Sequence, residues 1–328
     1  IVTTMTLDQK ERVSLNSIGR IFAIFAGIVT GILLPLVRQS LGGWATTVIV
    51  LSILSAAMMI PMCLFAKERV IEREKARDGG AEENYTLRDM VECLRSNKYL
   101  LIFFAAPLIN SLLNVGATWG LYIARYCLGG EEIASFVSMA VIVPTLIGAA
   151  IAVQLCKKYD KFKIFYFSYM FALILGIVRY IAGYENMMVY VILNALGGFP
   201  LGIAAILQYQ FTPDCYEYGQ YKTGLKMRGV TFAAQTFFTK LNGAIATAVS
   251  VFALTLIGFK EGEGVIQAAG FADKLWTFSC LGSIIGGIGT LLILRLYKLN
   301  DHDVQLMSKC NNGEITREEA EAQMINRY

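Results

Sequence analysis

The sequence predicts an all-α integral membrane protein, and three observations carry that prediction. Of its 328 residues, 55% are hydrophobic and only 16% are charged, well below the roughly 25% charge of soluble domains. Mean hydropathy is +0.53. Apolar windows of the length that spans a bilayer, about 20 residues, recur at about 15–37, 43–66, 99–124, 132–156, 163–183, 187–211, 229–258 and 274–297. These windows predict eight transmembrane helices.

The connecting segments predict the topology. Cations crowd the segments 67–98, 157–163 and 212–228 and the 295–298 edge, and are sparse at 38–42, 125–131, 184–186 and 259–273. By the positive-inside rule the basic segments are cytoplasmic. The chain is then a multi-pass protein of the cell membrane, in contact with lipid, with both ends cytoplasmic. The net charge of +4 follows from this bias and gives no reason to expect nucleic acid. None of the seven cysteines forms a C-x-x-C pair, and the single histidine is His302 in the tail. Reduced packing thiols are expected. No metal centre, bound cofactor or nucleophile–base set is expected, and so no enzyme.

Taken in order, the chain opens "IVTTMTLDQKERV", which reads as the tail of an earlier helix, so a preceding part is expected. Residues 1–66 form the end of an N-terminal bundle with two spans, and 67–98 a charged central cytoplasmic loop. Residues 99–297 form a six-helix bundle, and 298–328 a polar, solvated cytoplasmic tail. Within the tail, Thr316 and Glu319 have the spacing of a capping box. Six helices after one long cytoplasmic linker is the layout of a major facilitator half. Such transporters place substrate near the midplane between two six-helix halves. The chain would supply helices five to twelve of twelve.

Within the span 229–258 lies "FAAQTFFTKLNGAIATAVSVFALTLIGF", with Lys240 roughly 18 Å from the cytoplasmic end at about 1.5 Å per residue. A central lysine costs on the order of 3 kcal/mol, so an acidic partner or a water-filled cavity must offset it. Thr236, Thr239, Lys240, Gly243, Thr247 and Ser250 share one helical side, flanked by Gln235 and Asn242. Either this face lines a cavity, or it packs helices and Lys240 is a structural ion-pair partner. In the span 99–124, Asn110, Asn114, Thr118 and Tyr122 recur every four residues, and such side chains suit sugar hydroxyls. Trp119 is placed to stack on a sugar ring or to pack. Arg20 is either a positive-inside anchor or a cavity group, and Arg179 reads as snorkelling at the outer interface. In "PDCYEYGQYKTGLKMRG", Asp214, Glu217, Lys222 and Arg228 are candidates for a cytoplasmic gate, by pairing with each other or across the halves.

The segments "DCYEYGQYKTGLKMRGVTFAAQTFFTKLNGAIA" (214–246), "LDQKERVSLNSIGRIFAIFAG" (7–27), "SNKYLLIFFAAPLINSLLN" (96–114) and "RLYKLND" (295–301) occur in an order that resembles the glycoside–pentoside–hexuronide:cation symporters of the major facilitator superfamily, the melibiose-permease type. The resemblance implies that Arg20 binds sugar and that Gln235, Thr236 and Lys240 line the sugar or cation region. It implies that Asp8, Lys10, Glu11 and Arg12 help close the inner gate. Gln220 and Arg228 depart from it, since glutamate is common at both positions. The implied activity is import of a small-molecule sugar with a coupling cation, Na⁺ or H⁺, whose site lies mostly on helices two and four. A lipid or lysolipid carrier of the same superfamily and a non-transporting sugar sensor are the alternatives.

Overall fold

A computed structural model describes residues 43–65, 87–225, 228–262 and 265–328, with isolated positions between 19 and 30. The chain divides into two compact units, Ile1–Asn84 and Tyr85–Tyr328. In the first, α1 spans Trp44–Phe65 and carries mostly exposed apolar side chains, as a lipid-facing helix does. Asp8, Lys10, Glu11, Arg12 and Arg20 lie outside the described residues.

The second unit runs α2 (Leu87–Ser96), α3 (Lys98–Leu113), α4 (Gly120–Cys127), α5 (Glu132–Leu155), α6 (Lys161–Ala182), α7 (Met187–Leu207), α8 (Phe211–Thr223), α9 (Arg228–Leu256), α10 (Phe271–Leu294), α11 (Asp301–Asn311) and α12 (Arg317–Gln323). From 43–66 onward each predicted span overlaps described helix, in one piece except for 99–124. All described elements are helical, as lipid requires of a chain that must satisfy its own backbone.

Packing divides the membrane helices into two groups. In one, α5 and α7 pack most closely and α6 joins α7. In the other, α3 packs against α9 and α10. The groups meet where α6 packs on α10. Between α5 and α7 the contact is backbone on backbone. A Cβ on Gly198 would stand 2.8 Å from the Val141 carbonyl oxygen, and one on Gly202 would collide with the Thr145 carbonyl. Small residues of this kind are how helices approach closely in lipid.

Three expectations change. First, the span 99–124 is broken. Helix α3 stops at Leu113, and residues 114–119 turn before α4 begins. The turn is closed by Ala117 N–H to Asn114 (3.1 Å) and Trp119 N–H to Gly116 (3.1 Å). Gly116 lies so close to Ser279 of α10 that any side chain there would collide.

Second, the segment expected as a charged loop is mostly α8, and it is buried. Phe211, Cys215 and Tyr218 fall on one helical face in the core. Pro213 is tolerated because it sits in the first turn. Gly224, at φ +75°, ends the helix in the left-handed conformation.

Third, the tail is folded onto itself around a small buried centre: α12 is largely exposed, as expected, with Thr316 and Glu319 forming its capping box, while Met307 of α11 and Ala320 of α12 are fully buried. Asp303, also fully buried, accepts from the amides of Ile325 (2.8 Å) and Asn326 (3.1 Å), from the Tyr328 hydroxyl (2.8 Å) and from Asn300 (2.7 Å). Burial pushes this carboxyl up, but those donors outweigh burial and hold it below the ordinary aspartate value. A lowered native pKa adds stability above the unfolded value of about 3.9 and loses it as acid protonates the native carboxylate. Amide exchange in 301–328 is therefore expected to accelerate selectively below about pH 4. Asp303→Asn should exchange fast at every pH, and a wild-type tail equally protected at about pH 3 and about pH 7 would contradict this.

Candidate functional site

A cavity of about 470 Å³ lies within the second unit between its two helix groups. Its floor is α6 and α10, which pack together, and its walls are α3 and α7, which face each other without extensive packing. Small residues on α6 make the space. Ser168, Ala172 and Gly176 follow one another every four positions and line it, ending at Arg179.

The polar groups come from four helices. Asn110 and Asn114 stand on α3, with Asn114 at the break. Asn194 stands on α7 and donates to the Tyr190 carbonyl at 2.8 Å. Ser283 of α10 donates to Asn114 Oδ1 at 3.0 Å. Arg179 Nη2 reaches Ser283 Oγ at 3.5 Å, while its buried Nε has no partner. Arg179, expected to snorkel outward, therefore turns inward. Amides and hydroxyls that both donate and accept are the groups that can exchange hydrogen bonds with a polyhydroxylated solute. A larger cleft of about 880 Å³ lies at the helix ends around Lys161 and Asp301. Its position at the edge of the helices suits it less to a midplane substrate.

The other predicted residues lie elsewhere. Trp119 is fully buried in a cluster with Leu275 and Trp276, and its indole donates to the Ser250 carbonyl at 3.1 Å. It packs and does not line the cavity. On α9, Gln235 is buried, whereas Thr236 and Lys240 are exposed. The Thr236 hydroxyl turns back to the Phe232 carbonyl at 3.1 Å, and Lys240 makes no ion pair among the described residues.

At these helix ends Asp214 pairs inside the unit. Its carboxylate meets Lys161 Nζ at 2.7 Å, and Lys161 also meets Asp301 at 3.1 Å. The backbone reinforces this pairing. Asp160 caps α6 and accepts from the Asp301 amide (2.8 Å), and Asp301 accepts from the Lys161 amide (2.9 Å). Glu217 accepts from the Asn311 side chain at 2.9 Å. Lys222 and Arg228 are exposed, with the Arg228 guanidinium 5.9 Å from the rings of Tyr216 and Phe232.

Sequence reasoning passed over Arg179, Asn194, Ser168 and Ser283. The four-residue spacing of small residues leading to Arg179 was the available signal, since a lipid-facing stripe has no need of it.

Residues 1–301 match the family described as MFS/sugar transport protein. Among curated proteins, the chain is 25% identical over 285 residues to an uncharacterized symporter of Bacillus subtilis, covering 82% of this chain and 59% of that protein. It is 25% identical over 316 residues to a putative glycoside/cation symporter of Escherichia coli, covering 93% of this chain and 66% of that one. A putative sulfoquinovose importer of Escherichia coli is 22% identical over 244 residues, covering 72% of this chain and 51% of the importer. The chain thus spans about three-fifths to two-thirds of the length of the first two. A family match over nearly the whole chain, on an all-helical membrane fold, establishes the relationship that the sequence resemblance implied: the chain belongs to the MFS/sugar transport protein family of the major facilitator superfamily.

Proposed function

We propose that the protein imports a glycoside, pentoside or hexuronide together with Na⁺ or H⁺ by alternating access. The observation that carries this is the match of residues 1–301 to the MFS/sugar transport protein family; within the second unit, Asn110, Asn114 and Asn194 also present amides to one cavity beside a broken helix. A sugar exchanges its water hydrogen bonds for such groups at little net cost. The relatives named as glycoside/cation symporter and sulfoquinovose importer support a sugar as the solute.

Arg20, Gln235, Thr236 and Lys240 contribute to the sugar or cation region in this proposal. Asp8, Lys10, Glu11 and Arg12, together with Lys222 and Arg228, serve the inner gate in this proposal. Lys240→Met is expected to abolish gradient-driven uptake while leaving the amount of folded protein in the membrane unchanged. A loss of folded protein would assign Lys240 a structural role instead.

The direct test uses protein expressed from its complete gene in proteoliposomes. Uptake of labelled α- and β-galactosides, xylosides and glucuronides is followed with and without an inward Na⁺ gradient, and then with a pH step. Uptake that rises with one gradient names the solute class and the ion. No uptake of any glycoside by well-folded protein would move the assignment to a lipid carrier or a sensor.

A further inference from the structure

The geometry points to a bound oxyanion of the sulfate or phosphate type, held on the Arg179 guanidinium inside the second unit. The ion is a resident of the helix bundle and not the cargo, so its presence does not depend on which solute the transporter carries.

Among the described residues, Arg179 is the one charged group that lines the cavity of about 470 Å³. A guanidinium is a permanent cation, and no carboxylate pairs with it among the described residues. Its Nη2 reaches the Ser283 hydroxyl at 3.5 Å, and its buried Nε has no acceptor. Its titratable neighbours are Tyr190 and Cys280, a phenol and a thiol, which ordinarily carry no charge at neutral pH. Charges inside membrane proteins normally face a partner or a water-filled path, and a buried donor without an acceptor is costly.

The groups around the cation are rich in donors. Ser283 donates to Asn114 Oδ1 at 3.0 Å, which occupies that oxygen and leaves the Asn114 amide hydrogens available. Asn110 lines the same space and makes no side-chain hydrogen bond among the described residues. Water can accept from such groups but brings no charge. An oxyanion accepts on every side, and two of its oxygens match the planar fork of a guanidinium. Since one water takes roughly 30 Å³, the cavity has room for a tetrahedral ion with part of its hydration. Arg179 stands on α6, Ser283 on α10 and Asn114 at the end of α3, so the ion joins the two helix groups where α6 packs on α10. Arg179 also lies in the last turn of α6, close to where lipid headgroups begin. The phosphate of a phospholipid is therefore the same chemistry from a second source.

The test follows thermal unfolding of the protein expressed from its complete gene, in micelles of a polyoxyethylene ether, which contain neither phosphate nor sugar. Sodium sulfate and sodium phosphate each replace sodium chloride at fixed ionic strength. At least one should raise the melting temperature by about 5 °C, with half of the rise reached by about 1 mM. Both ions also stabilise proteins generally by exclusion from their surfaces, and saturation at low concentration separates binding from that effect. Arg179→Gln should lose the saturable rise. Arg179→Lys, which keeps charge but not the fork, should keep part of it at higher concentration. If Arg179→Gln does not purify folded, the wild-type titration and the Lys variant still decide the matter. Repeating the titration in phosphatidylcholine nanodiscs separates the two sources. A rise in both media assigns the site to an ion from solution, and a rise in micelles alone assigns it to lipid phosphate that already fills it in the bilayer. No saturable rise in micelles, or a rise indifferent to both Arg179 variants, would overturn the inference and leave the proposed sugar transport untouched.

Discussion

Lys161→Met is expected to cost about 3–5 kcal/mol of stability, the range for removing one partner of a buried ion pair. The lysine is only 18% exposed in its side chain, and its main partner Asp214 only 10%. Its removal leaves Asp214 almost dry and without its counter-charge at the start of α8, and Asp301 short of a partner at the start of α11. The variant should unfold at a clearly lower temperature in detergent micelles. Adding Asp214→Asn should restore much of the loss, because the penalty comes mostly from the stranded carboxylate. Equal melting of wild type and Lys161→Met would show that these charges are hydrated and uncoupled.

Gly202→Ala is the second large effect. The added methyl would collide with the Thr145 carbonyl and stand 2.8 Å from the Ala149 amide nitrogen, both backbone atoms of α5. Backbone in a helix cannot rotate aside as a side chain can, so α5 and α7 must separate along their contact. Overpacking of this kind costs about 1–3 kcal/mol, sometimes more. Gly120→Ala is the control, since nothing stands within 4 Å of its new methyl, and its stability should be unchanged or slightly raised. Thermal unfolding of both variants checks the pair. A Gly202→Ala protein as stable as the control would mean that α5 and α7 can part at little cost.

The spans were legible because a run of about twenty apolar residues is rare outside a bilayer, and from 43–66 onward each overlaps described helix, 99–124 in two pieces. The capping box of α12 was legible because Thr316 and Glu319 bond each other locally. The break at 114–119 was not. Asn110, Asn114, Thr118 and Tyr122 keep helical spacing straight through it, and Gly116 within it packs against Ser279 of a helix far along the chain. Helix α8 was obscured by its charges, Pro213 and Gly219, although its buried face at 211, 215 and 218 was present in the sequence. For the cavity, α3 supplied Asn110 and Asn114 to the expectation. Arg179 was missed because a cation near the end of a span has a ready role at the interface, and only packing shows which way it turns.

The interrupted helix has a mechanical consequence. Helix α3 is clamped along its length by α9 and α10, while the short α4 rests on α5 and α10. No continuous ladder of hydrogen bonds joins the two pieces, so a tilt of α4 need not be transmitted to α3 as by a rigid lever. A joint at Asn114, whose side chain accepts from Ser283, lets one end of this segment swing while the other stays held.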